Sequence, residues 1–140
     1  MDIRKLTDTF HVSPQIAAED VPALAAQGFA AIICNRPDSE VPPSHQADAI
    51  RAAAEAAGLA FHELPLTHMT MTPDNTHRQV DLAEAAGGPV LAYCASGTRS
   101  TVAWALGSAR HTDVDTLITA ARGAGYDLEN LRPTLAAAAG

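Results

Sequence analysis

The residues best suited to chemistry lie between Cys94 and Ser100, in the stretch Cys-Ala-Ser-Gly-Thr-Arg-Ser. This stretch follows a short apolar run and precedes a predicted helix, so the Cys94 thiol would face the free amides and positive dipole of a helix start. Both effects favour the thiolate, the nucleophilic form of cysteine. Arg99, near the end of the stretch, could offer a two-pronged guanidinium to an oxyanion. The pattern predicts an anion-binding loop with a nucleophile at its base.

The predicted catalytic set is Cys94, Arg99 and Ser100. Ser100 is expected either to donate to the sulfur or to order the loop. An isolated cysteine at a strand end is more often a small buried residue, but the complete strand, loop and helix arrangement favours catalysis. Gly97 would let the backbone curl tightly. We expect the anion to be bound by the residues between the cysteine and the arginine, which are Ala95, Ser96, Gly97 and Thr98.

A second polar stretch, Asn35-Arg-Pro-Asp38, follows an earlier apolar run, and Glu40 comes directly after it. One interpretation is a turn in which Arg36 pairs with Asp38 at the surface. The other is a supporting role, in which Arg36 adds positive potential near the cysteine loop and Asn35 bonds the backbone of that loop. The residues alone leave both interpretations open.

The elements that must position these residues alternate between apolar runs and helical segments. Strands are predicted near residues 10–16, 29–34, 60–66 and 90–94, and helices near 18–27, 44–57, 76–86, 101–109, 114–124 and 128–139. This order predicts an α/β fold with a mainly parallel central sheet of about four or five strands and helices on both faces. Three polar segments, 35–38, 67–75 and 94–99, then follow the carboxyl ends of strands, where such sheets bind ligands.

Composition narrows the function classes. The 140 residues predict a single domain over 1–140, and the net charge of −7 argues against nucleic-acid and anionic-membrane partners. The two cysteines show no metal-binding spacing, so no metal and no cofactor are expected. No apolar run reaches the roughly 20 residues of a membrane helix, and a cytoplasmic location is expected. The expected partners are a small anionic sulfur or phosphate substrate and an acceptor thiol, either low-molecular-weight or on a protein.

The stretch from Cys94 to Ser100, together with Asn35-Arg-Pro-Asp38, resembles the bacterial beta-lactamase-hydrolase-like family. This phosphatase-like group is also classed among sulfur transferases. The similarity covers nearly the whole chain, starting from Val12-Ser-Pro-Gln15. The resemblance implies a dual-specificity-phosphatase-like fold, cysteine-phosphatase-like in its architecture, with the cysteine loop on a central strand. It does not select the reaction.

The loop spacing departs from that of the cysteine phosphatases. Those enzymes place one more residue between cysteine and arginine, commonly after a histidine, whereas this chain has four residues there and Tyr93 in the histidine position. A Cys-x4-Arg loop resembles that of the rhodanese-type sulfurtransferases. A smaller ring of amides is less suited to a phosphoryl transition state and better suited to a cysteine persulfide. The spacing therefore favours sulfur transfer.

The expected general acid of a phosphatase is also missing. The stretch from Leu66 to Thr72 carries no carboxylate, and Asp74 comes late enough that it is expected to cap the following helix. His68 could substitute, although a histidine in a polar loop is more often only solvated. Sulfite leaving from thiosulfate is already a stable anion, so sulfur transfer needs little acid catalysis.

The sequence thus predicts a cysteine-dependent sulfurtransferase that moves sulfane sulfur from thiosulfate or a persulfide, through a Cys94 persulfide, to an acceptor thiol or cyanide. The alternatives are a tyrosine or dual-specificity phosphatase that forms a phosphocysteine, and a non-catalytic anion-binding or redox-sensing module. Cys34, at the end of a strand expected to neighbour the Cys94 strand, is either a resolving cysteine or a small buried residue.

Overall fold

The structure is a computed structural model that describes residues 1–140. One five-stranded sheet forms its centre, in the order β1-β2-β5-β3-β4. β1 pairs antiparallel with β2, and the other three pairings are parallel. The strands are β1 (Arg4–Lys5), β2 (Phe10–Ser13), β3 (Ala31–Cys34), β4 (Ala60–Glu63) and β5 (Val90–Tyr93). The predicted mainly parallel α/β sheet is confirmed.

Six α-helices cover the two faces of the sheet. They are α1 (Val21–Ala26), α2 (Ala47–Ala56), α3 (Pro73–Ala85), α4 (Thr98–Ser108), α5 (Val114–Gly123) and α6 (Arg132–Ala139). The central strands β3 and β5 are buried along their whole length, as expected for apolar strands with helices on both sides. None of the helices is long and apolar enough to cross a membrane.

Alternation along the strands divides the apolar core into two clusters. Ile33 and Ala92 face a cluster that includes Trp104 of α4, whereas Ile32 and Leu91 face the cluster beneath α1 and α2. Adjacent strand residues therefore pack against different helix layers. The same alternation decides on which face of the sheet each residue after β3 and β5 lies.

Several element boundaries differ from the sequence prediction by a few residues, and two differences concern the edge of the sheet and the start of the helix after the cysteine loop. β1 was not predicted, because a two-residue edge strand of charged residues, Arg4 and Lys5, lacks an apolar pattern. Helix α4 begins at Thr98 rather than near residue 101, so Thr98 and Arg99 belong to its first turn. The start was missed because Thr98 and Arg99 are polar and do not continue the apolar pattern of the helix. The first turn of a helix commonly points into solvent or a ligand site.

Strand register brings the two polar stretches together. Cys34 lies opposite Tyr93 in the parallel pair β3 and β5, and the Asn35 amide continues the ladder by donating to the Tyr93 carbonyl at 2.8 Å. Asn35 and Cys94 are therefore next to each other, one residue beyond paired strands. Because β5 lies between β2 and β3, its loop leaves the middle of the sheet at the carboxyl edge.

The packing of α3 on α4 yields a test of the fold. A Cβ on Gly107 would lie 2.3 Å from the Thr76 carbonyl oxygen and 2.7 Å from a Val80 methyl group, whereas a Cβ on Gly123 meets nothing within 4 Å. We expect Gly107→Ala to lower the free energy of unfolding by about 1–3 kcal/mol because it overpacks a helix contact. Gly123→Ala should be neutral or stabilising by up to about 1 kcal/mol. Urea unfolding measures both, and equal effects would contradict this packing.

Candidate active site

Three successive carbonyl groups of the cysteine loop, those of Ala95, Ser96 and Gly97, accept hydrogen bonds from outside the loop or from the helix that follows. The Ala95 carbonyl accepts from the Gln15 amide at 3.2 Å, and the Ser96 carbonyl accepts from the Tyr126 hydroxyl at 2.9 Å. The Gly97 carbonyl accepts both the amide and the hydroxyl of Thr101, at 3.0 and 2.7 Å. In a trans peptide the N–H points away from the C=O, so these bonds turn the following amides the other way.

One of the amides so turned, that of Gly97, is directed to the Cys94 sulfur. The Gly97 amide donates to Cys94 Sγ at 3.1 Å, and Gly97 adopts a φ of 94°, which suits glycine. Cys94 is 1% exposed, so the sulfur lies at the base of the loop. The amides of Ala95, Ser96, Arg99 and Ser100 donate no hydrogen bond within the protein and are available to an anion.

This set differs from the predicted one. The Thr98 amide, expected to face the anion, donates to the Ser96 hydroxyl at 3.3 Å, and the Gly97 amide is taken by the sulfur. Because α4 begins at Thr98, the amides of Arg99 and Ser100 are instead the free donors of a helix start. The ring of donors therefore extends further along the chain than the residues between cysteine and arginine.

Arg99 is held so that one edge of its guanidinium stays open. Nη1 donates to Glu40 Oε2 at 2.8 Å and to the Leu66 carbonyl at 2.9 Å, and Nη2 donates to Glu40 Oε1 at 2.7 Å. These bonds leave two hydrogens of the guanidinium without a partner, one on Nε and one on Nη2. Both lie on the same edge, with a spacing that suits two oxygens of an oxyanion. The pKa of Arg99 is raised, first by the Glu40 hydrogen bond and also by the charge of Cys94, so the guanidinium stays charged beside the sulfur.

Glu40 joins Arg99 to a second cation. Arg36 donates to the carboxylate of Glu40 at 3.3 Å and to Gln15 Oε1 at 3.3 Å. Hydrogen bonding from Arg99 holds the pKa of Glu40 below its usual value, and Arg36 adds to this effect. Glu40 is therefore an ionised carboxylate that orients Arg99, and it has no proton to give to a leaving group.

Asn35 supports the loop through side chains rather than the backbone. The Ser100 hydroxyl donates to Asn35 Oδ1 at 2.7 Å, and Asn35 Nδ2 donates to the Leu64 carbonyl at 2.9 Å. Gln79 of α3 donates to the Ser100 carbonyl at 3.2 Å. All three side chains are fully buried. Of the two roles predicted for Ser100, the contacts match the ordering of the loop, since its hydroxyl is directed to Asn35 and not to the sulfur.

The other predicted supporting residues make no side-chain hydrogen bond to the cysteine loop. Asp38 accepts from the Ala47 amide at 2.8 Å at the start of α2, so the predicted pairing of Arg36 with Asp38 is wrong, and Glu40 takes that place. His68 is exposed and makes no side-chain hydrogen bond. Asp74 is exposed on the outer side of α3, and the cap predicted for it is made by Thr72, which accepts from the Asn75 amide.

Cys34 lies on the other face of the sheet from the cysteine loop. Its thiol donates to the Arg36 carbonyl at 3.4 Å within the cluster beneath α1 and α2, beside Tyr93. Burial raises the pKa of the Cys34 thiol. Since the sheet separates Cys34 from the loop, the geometry fits the interpretation of a small buried residue and not that of a resolving cysteine.

The loop contacts that the sequence did not predict include those of Gln15, Glu40, Gln79 and Tyr126. Glu40 was grouped with the Asn35 stretch, but its bond to Arg99 joins residues 59 positions apart. Gln15 and Tyr126 come from opposite ends of the chain. None of them carries a local motif, and only a knowledge of strand order would have brought them to the loop.

The arrangement is a thiol at the base of a ring of amides, with one cationic edge directed to the same place. Such a site binds an oxyanion and favours attack by sulfur on it or on an atom attached to it. No cluster of three or more metal-ligating side chains occurs in the structure. The carboxylate that reaches the loop arginine, Glu40, is ionised, so the site supplies charge and position rather than a proton.

Comparison with known proteins gives a consistent family. The family model described as "Beta-lactamase hydrolase-like protein, phosphatase-like domain" matches residues 2–111. A beta-lactamase hydrolase-like protein of Agrobacterium fabrum is 36% identical over 106 residues, which cover 75% of this chain and 24% of that protein. One from Xylella fastidiosa is 32% identical over 106 residues, 76% of this chain and 25% of the relative. The chain thus spans about a quarter of the length of these curated relatives.

Solved structures agree with this result. A Neisseria meningitidis protein described as a candidate phosphatase has a TM-score of 0.85 and 36% sequence identity, covering 99% of each chain. TpbA of P. aeruginosa, solved in complex with pTyr, has a TM-score of 0.64 at 18% identity, over 96% of this chain and 90% of its own. The latter likeness shows the fold alone. The comparisons fit a phosphatase better than a sulfurtransferase, whose activity none of them shows.

The ion pair at the site predicts a shift in titration. Replacing Arg99 by methionine removes the main cause of the lowered pKa of Glu40, so this pKa should rise toward its usual value. Arg36→Met, the matched control, should raise it less. Carbon-13 NMR of the Glu40 carboxyl measures both titrations.

The lowered pKa of Glu40 also predicts how the stability of the fold depends on pH. A lowered pKa in the folded state means that the pair stabilises the fold above the unfolded pKa, and this stabilisation is lost as the pH falls through the folded value. The wild type should therefore lose more stability on acidification than Arg99→Met does. An unchanged Glu40 titration in Arg99→Met would show that the pair does not form in solution.

Proposed function

The chain belongs to the family of the beta-lactamase hydrolase-like protein, phosphatase-like domain, and on that premise we propose that it is a cysteine-dependent sulfurtransferase. Cys94 takes sulfane sulfur from thiosulfate or a low-molecular-weight persulfide and passes it to an acceptor thiol or to cyanide. The phosphatase-like fold is the scaffold for this reaction. The small anionic donor and the acceptor thiol are parts of the same proposal.

The observation that carries this proposal is the absence of a proton donor at the loop. Glu40 is kept ionised by Arg99 and Arg36, and Asp74 and His68 are exposed and make no side-chain hydrogen bond to the loop. Hydrolysis of an ordinary phosphate ester requires protonation of its alkoxide leaving group. Sulfite leaves thiosulfate as a stable anion, so a site without an acid suits sulfur transfer.

The first step forms a persulfide. The Cys94 thiolate attacks the outer sulfur of thiosulfate, a sulfur–sulfur bond to Cys94 forms, and the bond inside thiosulfate breaks with its electron pair leaving on sulfite. The free amides and the open edge of Arg99 bind the oxygens of the donor and of the departing sulfite. This step consumes no proton and needs no external oxidant.

The second step returns the thiolate. An acceptor thiolate attacks the outer sulfur of the Cys94 persulfide, the persulfide bond breaks, and its electron pair remains on Cys94. The negative sulfur is then stabilised by the Gly97 amide, which lies 3.1 Å from it. The four residues between Cys94 and Arg99 make a small ring that suits a single extra sulfur atom.

A cysteine phosphatase is the second candidate, and the family description and the likeness to structures named as phosphatases favour it. In this reaction Cys94 would attack phosphorus and form a phosphocysteine, which water then hydrolyses. The same amides and the same edge of Arg99 would bind the phosphoryl oxygens. Without a general acid, we expect this reaction to be confined to substrates with good leaving groups, such as aryl phosphates.

Mass spectrometry of the intact protein separates the two reactions. After thiosulfate treatment the wild type should gain the mass of one sulfur atom, and Cys94→Ser should gain none. Arg99→Met should react at least about tenfold more slowly, because it lacks the charged edge that binds the donor. Arg110→Met is the matched control, since Arg110 contacts only Asp81 at 3.9 Å and should react like the wild type.

An aryl phosphate provides the second arm of the experiment. A wild type that gains no sulfur from thiosulfate or a persulfide, but hydrolyses the aryl phosphate in a Cys94-dependent manner, would overturn sulfur transfer in favour of the phosphatase. A protein that does neither, and whose Cys94→Ser variant still binds sulfate, would be a non-catalytic anion-binding module.

A further inference from the structure

Tyr126 contacts the cysteine loop from a part of the chain beyond the family match, which ends at residue 111. It lies just after α5, and its hydroxyl donates to the Ser96 carbonyl at 2.9 Å. Its ring packs so closely under the loop that a Cβ on Gly97 would lie 2.1 Å from the Tyr126 hydroxyl oxygen. The glycine at this position is therefore required by Tyr126 as well as by the backbone turn.

The contact acts on a single peptide unit. The Ser96 carbonyl and the Gly97 amide are the two polar ends of one planar group, and they point in opposite directions. One end is bonded to Tyr126, and the other donates to Cys94 Sγ at 3.1 Å. Rotation of this unit would turn the amide away from the sulfur and bring a carbonyl oxygen toward it, which would repel a thiolate.

We infer that Tyr126 is a positioning residue for Cys94: its hydroxyl holds the Ser96–Gly97 peptide in the orientation that directs the Gly97 amide to the sulfur. Tyr126 does not touch the substrate. It acts through this peptide, so its effect is on how readily Cys94 carries a negative charge. The C-terminal part of the chain thereby contributes to the reactivity of a loop that lies within the family match.

Tyr126 is itself fixed in place from both ends of the chain. The Arg4 guanidinium lies over the Tyr126 ring, with its carbon 5.1 Å from the ring centre, and donates to the Ala124 carbonyl at 3.1 Å. The Tyr126 amide donates to the Ala121 carbonyl of α5 at 2.9 Å. Burial raises the pKa of Tyr126, so its hydroxyl keeps its proton at neutral pH and remains a hydrogen-bond donor.

The matched comparison is between two buried tyrosines near Cys94. Tyr126→Phe deletes the hydroxyl bonded to the loop, whereas Tyr93→Phe deletes a buried hydroxyl that has no hydrogen-bond partner in the structure. Both substitutions keep the aromatic ring and its packing. A difference between them therefore reports the bond to Ser96 rather than the loss of a buried oxygen.

The measurement is the rate of Cys94 alkylation by iodoacetamide against pH, followed by intact mass in a Cys34→Ala background. In Tyr126→Phe the midpoint of the profile should rise by about 0.5–1 pH unit, because the thiolate loses an oriented donor. Tyr93→Phe should follow the parent profile, and both variants should keep thermal midpoints within a few degrees of the parent. An unshifted profile in Tyr126→Phe, or an equal shift in Tyr93→Phe, would overturn the inference.

This inference rests on the proposed function only in taking Cys94 as the nucleophile. Alkylation requires neither a sulfur donor nor a phosphate ester, so the two claims fail separately. A wild type that never accepts sulfur, with a shifted profile in Tyr126→Phe, would remove sulfur transfer and keep the role of Tyr126. A wild type that forms the persulfide, together with an unshifted profile in Tyr126→Phe, would support sulfur transfer and remove the role of Tyr126.

Discussion

The chemistry of this protein depends on the direction of a few planar peptide groups. An amide can face the Cys94 sulfur or a bound anion only if the carbonyl of the same peptide faces away, and a carbonyl buried away from water needs a donor. Gln15, Tyr126 and Thr101 supply these donors. They come from a loop after β2, from the segment after α5 and from α4, so the anion-binding ring is a product of the whole fold.

The charges at the site follow a similar logic in an acidic chain of net charge −7. Anion binding by long-range attraction is unfavourable here, so the positive potential is local. Glu40 binds one edge of the Arg99 guanidinium and leaves the other edge free. A buried hydrogen bond between Ser100 and Asn35 connects the start of α4 to the end of β3. A carboxylate beside the loop arginine is thus consistent with anion binding, because the two edges of the guanidinium are geometrically separate.

Much of the fold was predictable because its strands are short, apolar and bounded by glycine or proline. The mainly parallel sheet was predicted from the alternation of strands and helices, and the family from the Cys94 loop and the Asn35 stretch; both are confirmed. The reaction was not determined in the same way. The spacing of the loop favours sulfur transfer, whereas the comparisons fit a phosphatase better, since related folds carry different chemistry and the difference lies in a few side chains.

The sequence by itself identified the candidate nucleophile, the loop and the arginine, because these lie within seven consecutive residues whose local pattern has a direct physical meaning. The tertiary structure alone decided which amides are free, which carboxylate holds Arg99 and which hydroxyl turns the Ser96–Gly97 peptide. These contacts join residues up to 80 positions apart, as between Gln15 and Ala95. No local propensity encodes them, since they arise only when strand order and helix packing bring the two ends of the chain to the loop.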